Sequence, residues 1–176
     1  IMKKVFSFLT IMLFSASVIA QTTWKVDPMH SKLAFSVTHL GIADVDGLFK
    51  TFNLSVSANQ ADFSDAVFDL SVDVASINTE VEMRDNHLRS ADFFDAEKHA
   101  KMIFKSASIE KLSKDKYKLK GNLTLHGVTK PVTLDLWYRG TIEHPQSKAI
   151  TAGFQVTGSI NRADFGVGTN FPPPMI

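Results

Sequence analysis

The chain contains no cysteine. Disulfide frameworks, thiol nucleophiles and thiolate metal sites are therefore excluded, and the fold must rest on core packing and backbone hydrogen bonds. An excess of one charge sign is also missing. Against 19 basic residues stand 18 acidic ones, a formal net charge of +1. No nucleic-acid partner and no strong pull toward an anionic membrane surface are expected from that balance. The six histidines, His30, His39, His87, His99, His126 and His144, form no HxH, HxxxH or HExxH spacing. No metal site is expected on that ground, although a fold could still gather His30, His39 and His87. A G-x-S-x-G nucleophile elbow is absent too, so the chain is not expected to be an enzyme. The remaining catalytic reading is a histidine-dependent one, built on those same three histidines.

Long apolar runs are confined to the N-terminus. Lys3 and Lys4 precede Val5 to Phe14, a run broken only by Ser7 and Thr10, and Val18-Ile19-Ala20 follows. This is the layout of a secretory signal peptide over residues 1–20, cut after Ala20, and the run is short for a membrane span. One domain is then expected over residues 21–176. Losing the leader removes two lysines and no acid, which turns the formal charge from +1 to −1.

What the domain does have is alternation. Leu33, Phe35 and Val37 point one way along "KLAFSVTH", and Phe52, Leu54, Val56 and Ala58 do so along "TFNLSVSA". Phe68, Leu70, Val72 and Val74 continue it, then Tyr117, Leu119, Leu123 and Leu125, then Val132, Leu134, Leu136 and Tyr138, and last Ile150, Ala152, Phe154, Val156 and Ile160. Period 2 with one apolar face predicts antiparallel strands with one buried side. Turns are predicted at Gly41 to Gly47, Asn59 to Asp65, Ser113 to Asp115, His126-Gly127 and His144-Pro145. About seven such strands curl into a barrel or sandwich. Gly121 and Gly158 fall on apolar faces, where they permit bending or leave room for a ligand.

Residues 79–100 break the period. Thr79 followed by Glu82 reads as a capping box, and Val81, Arg84 and Leu88 recur at helical spacing, so a helix is predicted over about 80–89. A loop through Asp92-Phe93-Phe94 and a helical turn near 95–99 follow. This segment is densely charged and crosses between strands.

Several stretches together carry a resemblance: "WKVDPMHSKLAFSVTHLG", "DGLFKTF", "NHLRSADFFDAEKHAKMIFKS", "GNLTLHGVTKPVTL" and "INRADFGVG". Over residues 24–171 the chain resembles the YceI-like family of periplasmic, polyisoprenoid-binding proteins. The resemblance implies an all-β fold, an antiparallel lipocalin-like barrel of about eight strands with a short helical insertion. It implies an apolar cavity for a long-chain amphiphile, a polyisoprenoid or an isoprenoid quinone, and a periplasmic carrier role without a cofactor. Leu33, Phe35, Val37, Phe52, Leu54, Phe68, Leu70, Val72, Leu88, Phe94, Phe104, Leu119, Leu123, Leu134, Leu136, Phe154 and Val156 are the residues expected to line it. Arg84, Asp85, His87 and Arg89, with Asp92, are expected to pin the helix or to stand at a polar mouth. The family runs on through a final strand, whereas here Pro172-Pro173-Pro174 and Ile176 follow, so that strand is expected to be missing. Unpaired edges of that kind invite strand pairing, and a homodimer and transient membrane contact are the partners considered besides lipid. The rival reading is a filled barrel acting as a stress or interaction protein, because periodicity does not separate a packed core from a lined pocket.

Overall fold

The computed structural model describes residues 21–171. The expected leader at 1–20 and the expected loss of a final strand at the C-terminal end fall outside the described residues. Among the described residues, ten strands and one α-helix are formed: β1 (Thr22–Lys25), β2 (Leu33–His39), β3 (Ala43–Phe49), β4 (Phe52–Ala58), β5 (Val67–Asp73), β6 (Ile77–Asn78), α1 (Glu82–Arg89), β7 (Lys101–Lys111), β8 (Lys116–Leu125), β9 (Val128–Glu143) and β10 (Ile150–Thr157). Short 3-10 turns stand at Val74–Ser76 and Arg162–Phe165. Seven strands pair antiparallel in the order β1-β4-β5-β7-β8-β9-β10, and β2, β3 and β6 form a second sheet in the order β2-β3-β6. The large sheet curls into a half-barrel, with β1 and β10 as its outer strands. The small sheet joins it through a cluster of Phe49 on β3, Ile77 on β6 and Val72 on β5.

Most predicted strands recur with the predicted faces. The stretch from Gly41 to Gly47 does not, because it is a strand and not a turn. Only Leu40 and Gly41, with φ of 52° and 72°, make the reversal, closed by the Ile42 amide donating to the His39 carbonyl at 3.1 Å. Gly47 punctuates nothing. It sits opposite Phe35, and a Cβ there would come within 2.3 Å of that ring. Gly121 likewise opens space for a side chain rather than for a ligand, since a Cβ would meet the Phe104 ring at 2.6 Å.

The capping box is not made either. The helix starts at Glu82, and its cap residue Val81 offers no side-chain hydrogen bond. Thr79 is engaged elsewhere, by Asp85, and Val81 is exposed while Asp85 is the buried residue of the helix.

The loop between β4 and β5 contributes to the core without any periodic signal. Asp65 accepts hydrogen bonds from the Asn59 and Gln60 amides at 2.9 and 3.0 Å, which closes the loop, and Phe63 turns inward with φ of 60°. Its ring, 3% exposed, packs 5.4 Å from Trp24, 5.0 Å from Tyr138 and 4.9 Å from Phe154. The Tyr117 hydroxyl ties the loop to β8 by donating to the Asp62 carbonyl at 2.6 Å.

Asp62 also pairs with Lys111, and that ammonium holds its carboxyl down, from 3.8 to about 2. A carboxyl depressed on folding adds stability above its unfolded pKa and loses it as pH falls through the folded value. The contribution is therefore full above about pH 4 and gone near pH 2. Both side chains are near half exposure, so solvent screening keeps it small. Denaturant titrations between pH 5 and pH 2 check this: Lys111→Ala is expected to flatten the acid loss relative to the unsubstituted protein.

Candidate functional site

The core within the curled sheet is apolar, and Leu88 of α1 with Phe93 and Phe94 of the following loop packs into it. Local chemistry sets that helix in place. The Asp85 carboxylate accepts from the Thr79 amide at 2.8 Å and from the Thr79 hydroxyl at 2.6 Å. Arg84 donates through Nε to the Thr79 hydroxyl at 2.7 Å and through Nη2 to its carbonyl at 2.6 Å. Arg89 donates to the carbonyls of Ala75 and Ile77 at 2.8 and 3.0 Å. These bonds tether the helix to β6 and the turn before it, and they commit the Arg84 fork to backbone and hydroxyl. His87 lies apart, 3.0 Å from Asp92 and edge-on to Phe93 and Phe171.

The tether fixes the apolar underside. The Phe94 amide donates to the Leu88 carbonyl at 3.0 Å, and both side chains pack against the sheets. Two apolar clusters result. One fills the curl of the large sheet with Phe63, Phe68, Phe104, Leu119, Leu123 and Leu136; the other is the Phe49, Val72 and Ile77 group. Leu70, Leu88, Phe94 and Met102 are half-buried and pack against both. They form the seam where the large sheet, the small sheet and the helix meet.

The seventeen expected lining residues divide into three sets. Phe68, Val72, Phe104, Leu119, Leu123 and Leu136 are buried, Val72 at 0% and Leu119 and Leu136 at 1% exposure; all but Val72 share the cluster that fills the curl, and Val72 belongs to the Phe49 and Ile77 group. Leu33, Phe35, Val37, Phe52, Leu54, Leu70, Leu88, Phe94, Leu134 and Phe154 are half-buried. Val156 is 42% exposed on the outer strand β10. Of the seventeen, the half-buried set is the part that combines apolar contact with exposure. Beside it a cleft of about 260 Å³ is lined by Val26, Pro28, Ser31, Lys50, Thr51 and Phe52.

The three histidines that a fold could have gathered are not brought together. His30 accompanies Asp27 at 2.7 Å, His87 accompanies Asp92, and His39 ends β2. A different trio, Asp95, His99 and His126, is the group of metal-capable donors that converges among the described residues.

Comparison with known proteins follows the same architecture. Residues 24–176 match the family model described as the YceI-like domain. The chain belongs to the YceI-like family. A UPF0312 protein of Serratia proteamaculans is 37% identical over 164 residues, 92% of this chain and 84% of that protein. A UPF0312 protein of Staphylococcus aureus is 35% identical over 149 residues, 85% of this chain and 84% of that protein. Among solved structures, the Campylobacter jejuni YCEI protein superposes with a TM-score of 0.68 at 33% identity, covering 84% of this chain and 85% of that one. BcnA of Burkholderia cenocepacia superposes with a TM-score of 0.73 at 27% identity, over 82% and 86% of the two chains.

Within this YceI-like chain, sequence reasoning missed Met102 and Phe63. Met102 stands next to Phe104 in alternation but points to the seam, because β7 pairs it with Val72 and crosses both clusters. Phe63 lies in a loop, where no period exists to assign a face. Its one signal is an isolated aromatic between Asp62 and Ser64 in an otherwise polar turn.

Proposed function

We propose that this YceI-like protein binds a long-chain amphiphilic lipid, of the polyisoprenoid or isoprenoid quinone type, and carries it in the periplasm. The apolar chain lies along the half-buried face, over the seam of Leu70, Leu88, Phe94 and Met102. That seam carries the reading: four half-buried apolar side chains join two clusters, and an apolar chain laid there removes them from water. Each Å² so buried contributes roughly 25 cal/mol, and a few hundred Å² offset the loss of ligand freedom. Desolvation does the work, so no catalytic residue or cofactor is required. The leader-like segment at 1–20 supports export, and lipid exchange implies transient contact with a membrane.

A second reading has its own observation. Phe63 and the sealed side chains of Tyr117, Leu119 and Leu136 fill the curl, as a filled barrel serving as an interaction or stress protein would.

Mass spectrometry of an organic extract of the purified protein separates the two. The carrier predicts a stoichiometric polyprenyl or quinone species. A protein that is free of lipid and refuses added isoprenoids overturns it in favour of the filled barrel. Phe35→Asp or Phe154→Asp is expected to lower lipid retention about 100-fold or more, since a charge then faces the apolar chain. Retention unchanged in a folded variant removes the face from consideration.

A further inference from the structure

Asp95, His99 and His126 come from two segments far apart in the sequence, and each is held in place by its own local structure. The Asp95 carbonyl accepts from the amides of Lys98 and His99 at 3.0 and 2.8 Å, forming a single helical turn. That turn brings Asp95, whose own backbone is left-handed with φ of 45°, close to His99. His126 begins the two-residue reversal between β8 and β9, with φ of 51°, followed by Gly127 at 74°. Left-handed values at both positions match the right-handed twist of the strands, and glycine adopts the second freely. Gly127 has a further role: a Cβ there would lie 2.7 Å from Cε1 of His99, so only a glycine lets that ring settle on the hairpin. The two imidazoles then stand edge to face with centroids 4.6 Å apart.

One donor atom from each residue lies within 4.8 Å of the others. Zinc ligands about 2.0–2.2 Å from a common ion stand roughly 3.3 Å from one another, and small side-chain rotations close the difference. The orientation of His126 suits ligation. Its Nδ1 is 3.2 Å from the Phe165 carbonyl, which can only accept, so Nδ1 is the donor there and Nε2 is the nitrogen left to face an ion. A backbone carbonyl orienting the far nitrogen is the usual support of a metal-binding histidine. The side chain of Asp95 is 14% exposed, and its carboxyl is held below the usual range by Lys98 first and by the two imidazoles after it.

We propose that Asp95, His99 and His126 form a binding site for a single divalent cation of the zinc class. Two imidazoles and one carboxylate suit a borderline ion better than calcium or magnesium, which take oxygen ligands. Three protein donors leave one tetrahedral position for water. The ion clips the segment after α1 to the β8–β9 hairpin, and through Phe165 to the 3-10 turn at Arg162–Phe165. It does not depend on the lipid reading. Lys98, bonded to Asp95 at 3.0 Å, is a competing cation that the metal must displace or tolerate.

The test uses the chain stripped with EDTA and dialysed, titrated with Zn²⁺ alone by calorimetry and followed by thermal unfolding. One ion per chain is expected, with Tm rising by about 5 °C or more at a hundredfold excess over Kd. His99→Ala and His126→Ala each lower the affinity by about 10-fold or more and abolish the Tm rise, while Lys98→Gln tightens binding. Stoichiometric binding that survives the double histidine substitution overturns the site, as does an absence of binding by the unsubstituted chain. Should a variant not fold, NMR of the histidine rings in the unsubstituted chain decides. Zn²⁺ must shift the signals of His99 and His126 and leave His30, His39 and His144 in place. A uniform or misplaced response rejects the proposal.

Discussion

Asp85→Ala lowers the free energy of unfolding by about 3 kcal/mol, because it leaves buried partners without an acceptor. Asp85 is 3% exposed and Thr79 is 4% exposed. One carboxylate oxygen accepts both the amide and the hydroxyl of Thr79, and that hydroxyl accepts in turn from Arg84. Alanine deprives the Thr79 amide of its acceptor and Arg84 of its nearby negative charge. Asparagine keeps an oxygen at the same place and loses about half as much. In a domain of this size the alanine change corresponds to a Tm lower by about 6–12 °C. Thermal and denaturant unfolding of the two variants check the order. Equal stability of Asp85→Ala and the unsubstituted protein would mean that water replaces the carboxylate. The effect extends to ligand, since the same bonds aim Leu88 and Phe94 at the seam. Asp85→Ala is therefore expected to retain less lipid even at temperatures where it stays folded.

Phe63→Ala is expected to destabilise the protein by about 3–5 kcal/mol, the range for removing a buried aromatic ring. The ring packs against those of Trp24, Tyr138 and Phe154. The backbone of Phe63 also sits at φ of 60°, a conformation that a side chain disfavours and that packing must maintain. Phe63→Gly loses the same ring but relieves that strain, so it is expected to be the milder of the two. Chemical denaturation compares them, and a glycine variant weaker than the alanine variant would show that the strain is not felt. The vacated space is apolar and opens beside the concave face. Small apolar guests such as benzene are expected to raise the Tm of Phe63→Ala and to leave the unsubstituted protein unchanged, as for other dry apolar cavities.

Much of this architecture is legible in alternation alone. Phe52, Leu54 and Val56, or Leu119, Leu123 and Leu125, show their inward face because a strand turns successive side chains to opposite sides. The same rule misled at Gly41 to Gly47. Two glycines in seven residues mark a turn by composition, but Gly47 answers to the Phe35 ring across the strand pair. Thr79 and Glu82 carry a capping signature, yet Asp85, six residues beyond Thr79, takes the hydroxyl. Asp95 and His99 stand at helical spacing, but the third member of their group lies on another hairpin.

The sequence by itself determined the β class, the inward face of most strands, the position of helix α1 and membership of the YceI-like family. These depend on backbone geometry repeated every two or every 3.6 residues, and such repeats are written locally. Tertiary structure alone decided which inward residues are sealed, which stay open at the seam, and that Phe63 closes the curl. It also decided that Asp95 and His99 meet His126. Each of these is a contact between segments distant in the chain, and such contacts depend on strand order and the curvature of the sheet, which no local period records.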